Sequence, residues 1–251
     1  MHTMSMLIAS GTALLAAAAF TPVRAAEPIR NIVLVHGAFA DGSGWQPVFE
    51  RLVKKGYKVS IVQEPETSLA EDIAATKRVI DLADGPVVLV GHSWGGQIIT
   101  DAGVDEKVKA LVYVAGIMPE AGETTASLHA RFPAAGAPNV KEVSGGYLMI
   151  DPEHLHEDFA ADLPKAQAAF MAQSQVLIHK DALDTPAKAA AWKDKPTFAM
   201  VATKDRTINP ELERWMYKRA NAKVTEVDSS HVIMISHPDK VVEVIEEAAG
   251  H

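Results

Sequence analysis

A chain of 251 residues and 26.9 kDa is long enough for one sizeable α/β core and short for two. With 48% hydrophobic and 22% charged residues, it lies far from the composition of disordered chains. A formal charge of −8 argues against a phosphate-backbone binder, so no nucleic-acid partner is expected; zero cysteines exclude disulfides, Cys-ligated metals and a thiolate nucleophile.

In chain order, residues 7–20 form an uncharged apolar run, followed by the small-residue stretch Val23-Arg24-Ala25-Ala26. Spanning a bilayer takes about 20 residues, so this run reads as the core of a cleavable signal peptide over residues 1–25 and not as a stable membrane anchor. A basic residue before the run, usual in such signals, is absent. The expected location is periplasmic or secreted, with the folded domain over 26–251. Short apolar runs at 32–35, 59–62, 87–90, 108–115, 197–202 and 224–227 predict strands buried on both faces. Helical spacing at 45–55, 69–83, 95–102, 210–220 and 238–249 fills the gaps between them. That alternation predicts an α/β fold: a mostly parallel sheet of about six strands flanked by helices. It breaks between about 119 and 196, after the fourth predicted strand, where Ala-rich segments predict an inserted helical cap.

Ligands of open α/β sheets lie at the carboxyl ends of the strands, so the turns leaving each strand are where chemistry is expected. After the third strand comes Gly91-His92-Ser93-Trp94-Gly95-Gly96, a G-x-S-x-G between strand and helix. Its glycines permit a sharp turn that lifts the Ser93 hydroxyl above the sheet as a nucleophile. A serine hydroxyl needs a neighbouring base, and His231, just after the last predicted strand, is the candidate. His129, His154, His156 and His179 fall in the cap, His237 precedes Pro238, and His2 and His251 are terminal. An acid must fix the tautomer of the base; Asp205, in the loop after the strand at 197–202, is favoured over its rival Asp228. Along the chain the three candidates run in the order Ser93, Asp205, His231. Two preorganised amides would hold the oxyanion, from Trp94 and Ala38. His36, Gly37, Phe39, Trp45 and His92 flank these turns as candidate substrate contacts, although core packing is an equal reading for Trp45.

The motifs Val33-Leu34-Val35-His36-Gly37-Ala38-Phe39, Val88-Leu89-Val90-Gly91-His92-Ser93-Trp94-Gly95-Gly96, Lys204-Asp205-Arg206-Thr207-Ile208-Asn209-Pro210 and Ser230-His231-Val232-Ile233-Met234 carry a resemblance. The chain resembles the α/β-hydrolase superfamily, and within it the branch of plant methyl esterases, hydroxynitrile lyases and bacterial carboxylesterase-like relatives. The resemblance implies the triad Ser93, Asp205 and His231, an oxyanion hole at Ala38 and Trp94, a helical cap and no cofactor. Lyases of the branch carry a threonine where this chain has Gly37 and a lysine where it has Val232, which favours ester hydrolysis.

The leading expectation is a serine carboxylesterase acting on a small-molecule ester through an acyl-enzyme on Ser93. A neutral histidine base predicts activity that rises through about pH 6 to 8. Lactone, amide or carbon–carbon bond cleavage on the same triad, and a non-catalytic ligand receptor, are the alternatives. No metal is expected: His154, His156 and Glu157 lack the zinc-motif spacing. Phe170, Met171 and Trp192 could line an acyl pocket or pack the cap. Acyl and alcohol selectivity depend on the cap's shape, and the oligomeric state is open.

Overall fold

The computed structural model describes residues 29–251; the expected signal peptide over 1–25 lies outside them. In chain order the first half runs β1 (Asn31–Val35), α1 (Gln46–Lys54), β2 (Lys58–Ile61), α2 (Leu69–Asp81), β3 (Val87–His92), α3 (Trp94–Ala102) and β4 (Val108–Val114). The cap then contributes α4 (Thr125–Arg131), β5 (Val140–Val143), β6 (Tyr147–Ile150), α5 (Leu155–Asp158), α6 (Lys165–Gln173), β7 (Ile178–His179) and α7 (Lys180–Asp184). The chain returns through β8 (Thr197–Ala202), α8 (Pro210–Arg219), β9 (Lys223–Val227), α9 (Ile233–Ser236) and α10 (Pro238–Ala249).

Six of these strands form one parallel sheet in the order β2-β1-β3-β4-β8-β9. Side chains alternate across it. Val88, Val90, Val112 and Val114 face the layer of α1 and α10, packing with Leu52, Val241 and Ile245. Val87, Leu89, Leu111 and Tyr113 face the opposite layer and pack with Ile98, Ile99, Leu212 and Met216. Double burial explains the near-continuous apolar runs of the inner strands. The edge strands depart from that expectation: Lys58 and Ser60 of β2 and Lys223, Val224 and Glu226 of β9 are exposed, because each edge has a neighbour on one side only.

A further correction concerns the cap, which is not wholly helical. β5, β6 and β7 form a three-stranded antiparallel sheet, with Val140 opposite Ile150 and Tyr147 opposite His179. Strands of four and two residues, mostly half-exposed, are too short to leave a periodic signature. Among the described residues no helix is long and apolar enough to cross a membrane.

Candidate active site

Ser93 sits between β3 and α3 with φ of 53° and ψ of −120°, a strained left-handed conformation for a side chain other than glycine. Three glycines make the turn feasible by excluding a Cβ. One on Gly91 would come within 2.5 Å of Gly95 O, one on Gly95 within 2.5 Å of His36 O, and one on Gly96 within 2.4 Å of Ile117 O. The Ser93 carbonyl accepts from Gly96 N at 2.9 Å and Ile117 N at 3.0 Å, which fixes the turn from both sides.

The loop after β9 carries His231 into the interior, where it is fully buried. Its Nδ1 lies 2.5 Å from Asp205 Oδ2. Asp205 Oδ1 accepts from the backbone N–H groups of Thr207 at 2.7 Å and Ile208 at 2.9 Å, leaving Oδ2 to face the imidazole. Asp228 is exposed and pairs with Lys204, so the rival carboxylate is turned to solvent. His231 Nε2 is buried without a hydrogen-bond partner among the described residues. Ser93 follows His92, whose ring centroid is 4.6 Å from that of His231 and whose Nε2 lies 3.0 Å from the His231 carbonyl. Phe159 from the cap covers the imidazole at 4.9 Å.

A cap carboxylate that the sequence did not single out holds the histidine loop. Asp162 Oδ2 accepts from Ser229 Oγ at 2.9 Å and from Ser230 N at 3.0 Å, and its Oδ1 accepts from Ser230 Oγ. Burial pushes the Asp162 pKa up, but these donors outweigh it and hold the carboxyl below its ordinary value.

The N–H groups of Ala38 and Trp94 have no hydrogen-bond partner among the described residues, and both residues line the same cavity as Ser93. That cavity has a volume of about 400 Å³. Behind the Ala38 turn lies a buried cluster. His36 Nε2 lies 2.5 Å from Glu64 Oε2 and its Nδ1 lies 3.0 Å from Gly37 O. Burial disfavours the charged ring, yet the Glu64 carboxylate and the Gly37 carbonyl raise its pKa above the usual value. Asp72 accepts from the Trp94 indole N–H at 2.9 Å and from Glu66 N at 2.9 Å, and Glu66 Oε2 accepts from Phe39 N at 3.4 Å. The cluster thus ties Phe39, the residue after Ala38, and the Trp94 indole to neighbouring buried carboxylates.

Three of the expected substrate contacts require correction. His36 is buried against Glu64, His92 is fully buried beneath His231, and Trp45 is packed in the core; none lines the Ser93 cavity. Phe39 does line it, and Gly37 packs beside it: a Cβ there would fall 2.6 Å from Ser93 Cβ. Phe170 and Met171 line a second cavity of about 350 Å³ on the other side of Phe39, whereas Trp192 packs, its indole donating to Pro119 O at 2.8 Å. His129, which carried no signal beyond its place in the cap, lines the Ser93 cavity from α4. His156 Nε2 lies 3.0 Å from Leu163 O, a local packing contact.

Comparison with known proteins agrees with this architecture. Residues 32–244 match the model of the alpha/beta hydrolase family. The chain is 28% identical over 245 residues to the alpha/beta hydrolase nvfD of Aspergillus novofumigatus, covering 87% of this chain and 96% of that protein. It is 26% identical over 250 residues to a pyrethroid hydrolase of Sphingobium wenxiniae, covering 88% of each. The crystal structure of polyneuridine aldehyde esterase shares the fold at a TM-score of 0.78 and 18% identity, over 87% of this chain and 98% of that one. With the family match running through the sheet and all three chemistry-bearing turns, the chain belongs to the alpha/beta hydrolase family and is a hydrolase.

Proposed function

We propose that this hydrolase is a serine carboxylesterase that cleaves small to medium carboxylic esters through an acyl-enzyme on Ser93. Two observations carry the reading: the buried His231 with Nδ1 held by Asp205 and Nε2 unpartnered, its ring 4.6 Å from that of His92, and the strained Ser93 that follows His92 at the wall of a largely apolar cavity. In the first half-reaction His231 Nε2 takes the Ser93 proton as Oγ bonds to the ester carbonyl carbon. The imidazolium that forms is stabilised by Asp205, and the oxyanion meets the free N–H groups of Ala38 and Trp94. Collapse breaks the bond to the alcohol oxygen, which leaves with the His231 proton. Water, deprotonated by the same nitrogen, then releases the acid and restores Ser93. Ser93 Oγ makes no hydrogen bond among the described residues; such contacts commonly tighten only when substrate arrives.

Ester hydrolysis is favoured over cyanohydrin cleavage on steric grounds. A threonine at position 37 would place its Cβ 2.6 Å from Ser93 Cβ and 2.9 Å from His92 Nδ1, so this turn is built around glycine. The test is a rapid-mix assay with an aryl acetate, beside a lactone and a cyanohydrin, plus fluorophosphonate labelling. A stoichiometric burst and labelling, both lost in Ser93→Ala, are expected. Equal turnover by Ser93→Ala would overturn the proposal. Export directed by residues 1–25 belongs to the same proposal, and N-terminal sequencing of the mature protein checks it; a chain that begins at Met1 counts against it.

A further inference from the structure

The cavity beside Ser93 is walled mainly by apolar side chains, among them Phe39, Ile117, Leu183 and Ile208. Three polar side chains besides Ser93 also reach it: Thr125, Thr207 and His129. Two of these are committed. The Thr125 hydroxyl donates to Gln97 Oε1, whose own amide is tied to Thr185 O at 3.0 Å, and the Thr207 hydroxyl donates to Asp158 O at 2.8 Å. His129 alone has no hydrogen bond from either ring nitrogen to any described residue. It is half-buried and lines the cavity.

Resting on the serine esterase reading, we propose that His129 is a specificity-determining residue that hydrogen-bonds an oxygen or nitrogen carried by the acyl group a few atoms from the ester carbonyl. A half-buried ring whose nitrogens have no protein partner is further desolvated when a substrate fills the cavity, a penalty that a bonding substrate offsets and a purely aliphatic one leaves in place. Burial, assisted by the nearby His231 and opposed by Asp205, lowers the His129 pKa to about 4. At neutral pH the ring is therefore uncharged and offers one donor and one acceptor, which suits a keto, hydroxyl or ether oxygen and not a carboxylate.

Two aryl esters of equal acyl length test the assignment, one with a plain alkyl chain and one with a keto or hydroxyl oxygen at the third carbon. The wild type is expected to prefer the oxygenated ester in kcat/KM. His129→Leu should lower kcat/KM for that ester by about 10-fold or more while leaving the alkyl ester unchanged or improved. His129→Gln, which keeps a donor and an acceptor, should recover much of the preference, a result that a merely structural role would not produce. Equal losses on both esters, or no change on either, overturn the assignment. A Ser93 burst in a wild type without preference refutes the His129 assignment alone. If no burst occurs and Ser93→Ala turns over both esters, the serine mechanism fails and the assignment falls with it.

Discussion

Replacing Gly37 with alanine tests the proposed site by adding one carbon. An ideal Cβ there lies 2.6 Å from Ser93 Cβ, 2.9 Å from His92 Nδ1 and 3.1 Å from His92 O, against ordinary contacts of 3.4 Å or more. The Gly37 turn or Ser93 must therefore yield by about 0.8 Å, the difference between the 3.4 Å and 2.6 Å separations. Ser93 cannot easily move, because its carbonyl is held by Gly96 N and Ile117 N, and His92 is pinned beneath His231. The turn should move instead, carrying the Ala38 N–H away from the oxyanion. A displacement near 1 Å at a reacting centre costs about 10²-fold, and losing one oxyanion donor costs about 10² to 10³ in kcat. The variant should lose 10² or more in kcat on an aryl acetate, with KM changed little and the fold retained. Gly91→Ala provides the contrast: its Cβ meets backbone at Gly95 O, 2.5 Å away, and should lower Tm as well as activity. If Gly37→Ala kept kcat within about threefold, the placement of the oxyanion at the Ala38 amide would be wrong.

Asp205→Asn should lower kcat by about 10³ to 10⁴ by disturbing the His231 tautomer, while Asp228→Asn, at a solvent-facing ion pair, should leave it unchanged; parallel steady-state kinetics distinguish the two. Tyr217 Oη accepts from Gly116 N at 2.8 Å and donates to Gly116 O at 2.9 Å inside the core, so Tyr217→Phe should cost about 1 to 3 kcal/mol, read by urea unfolding. His129 in the folded chain protonates only near pH 4, well below an unfolded histidine at about 6.5, so the unfolded state binds the extra proton between those values. Its contribution to stability is present above pH 6.5 and fades as pH falls toward 4. The Tm of wild type relative to His129→Leu should therefore drop between pH 7.5 and 5, and a constant difference would refute the burial of that ring.

The sheet and its helices were legible because strands covered on both faces must be apolar throughout, so 32–35, 87–90 and 197–202 stand out from any polar background. The serine turn was legible because only glycine fits where Gly91 and Gly95 meet backbone. Sequence also set the order in which serine, acid and base appear along the chain. The sequence favoured Asp205 over Asp228, but both follow strands, and only the fold gives the direction that separates a carboxylate facing an imidazole from one facing water. Folding also turned His36, His92 and Trp45 away from the cavity and brought His129 to it, because which face of a cap helix meets the body depends on contacts between segments far apart in the chain. Local patterning records whether a residue is covered; it does not record by what, and the candidate site is built from that second kind of information.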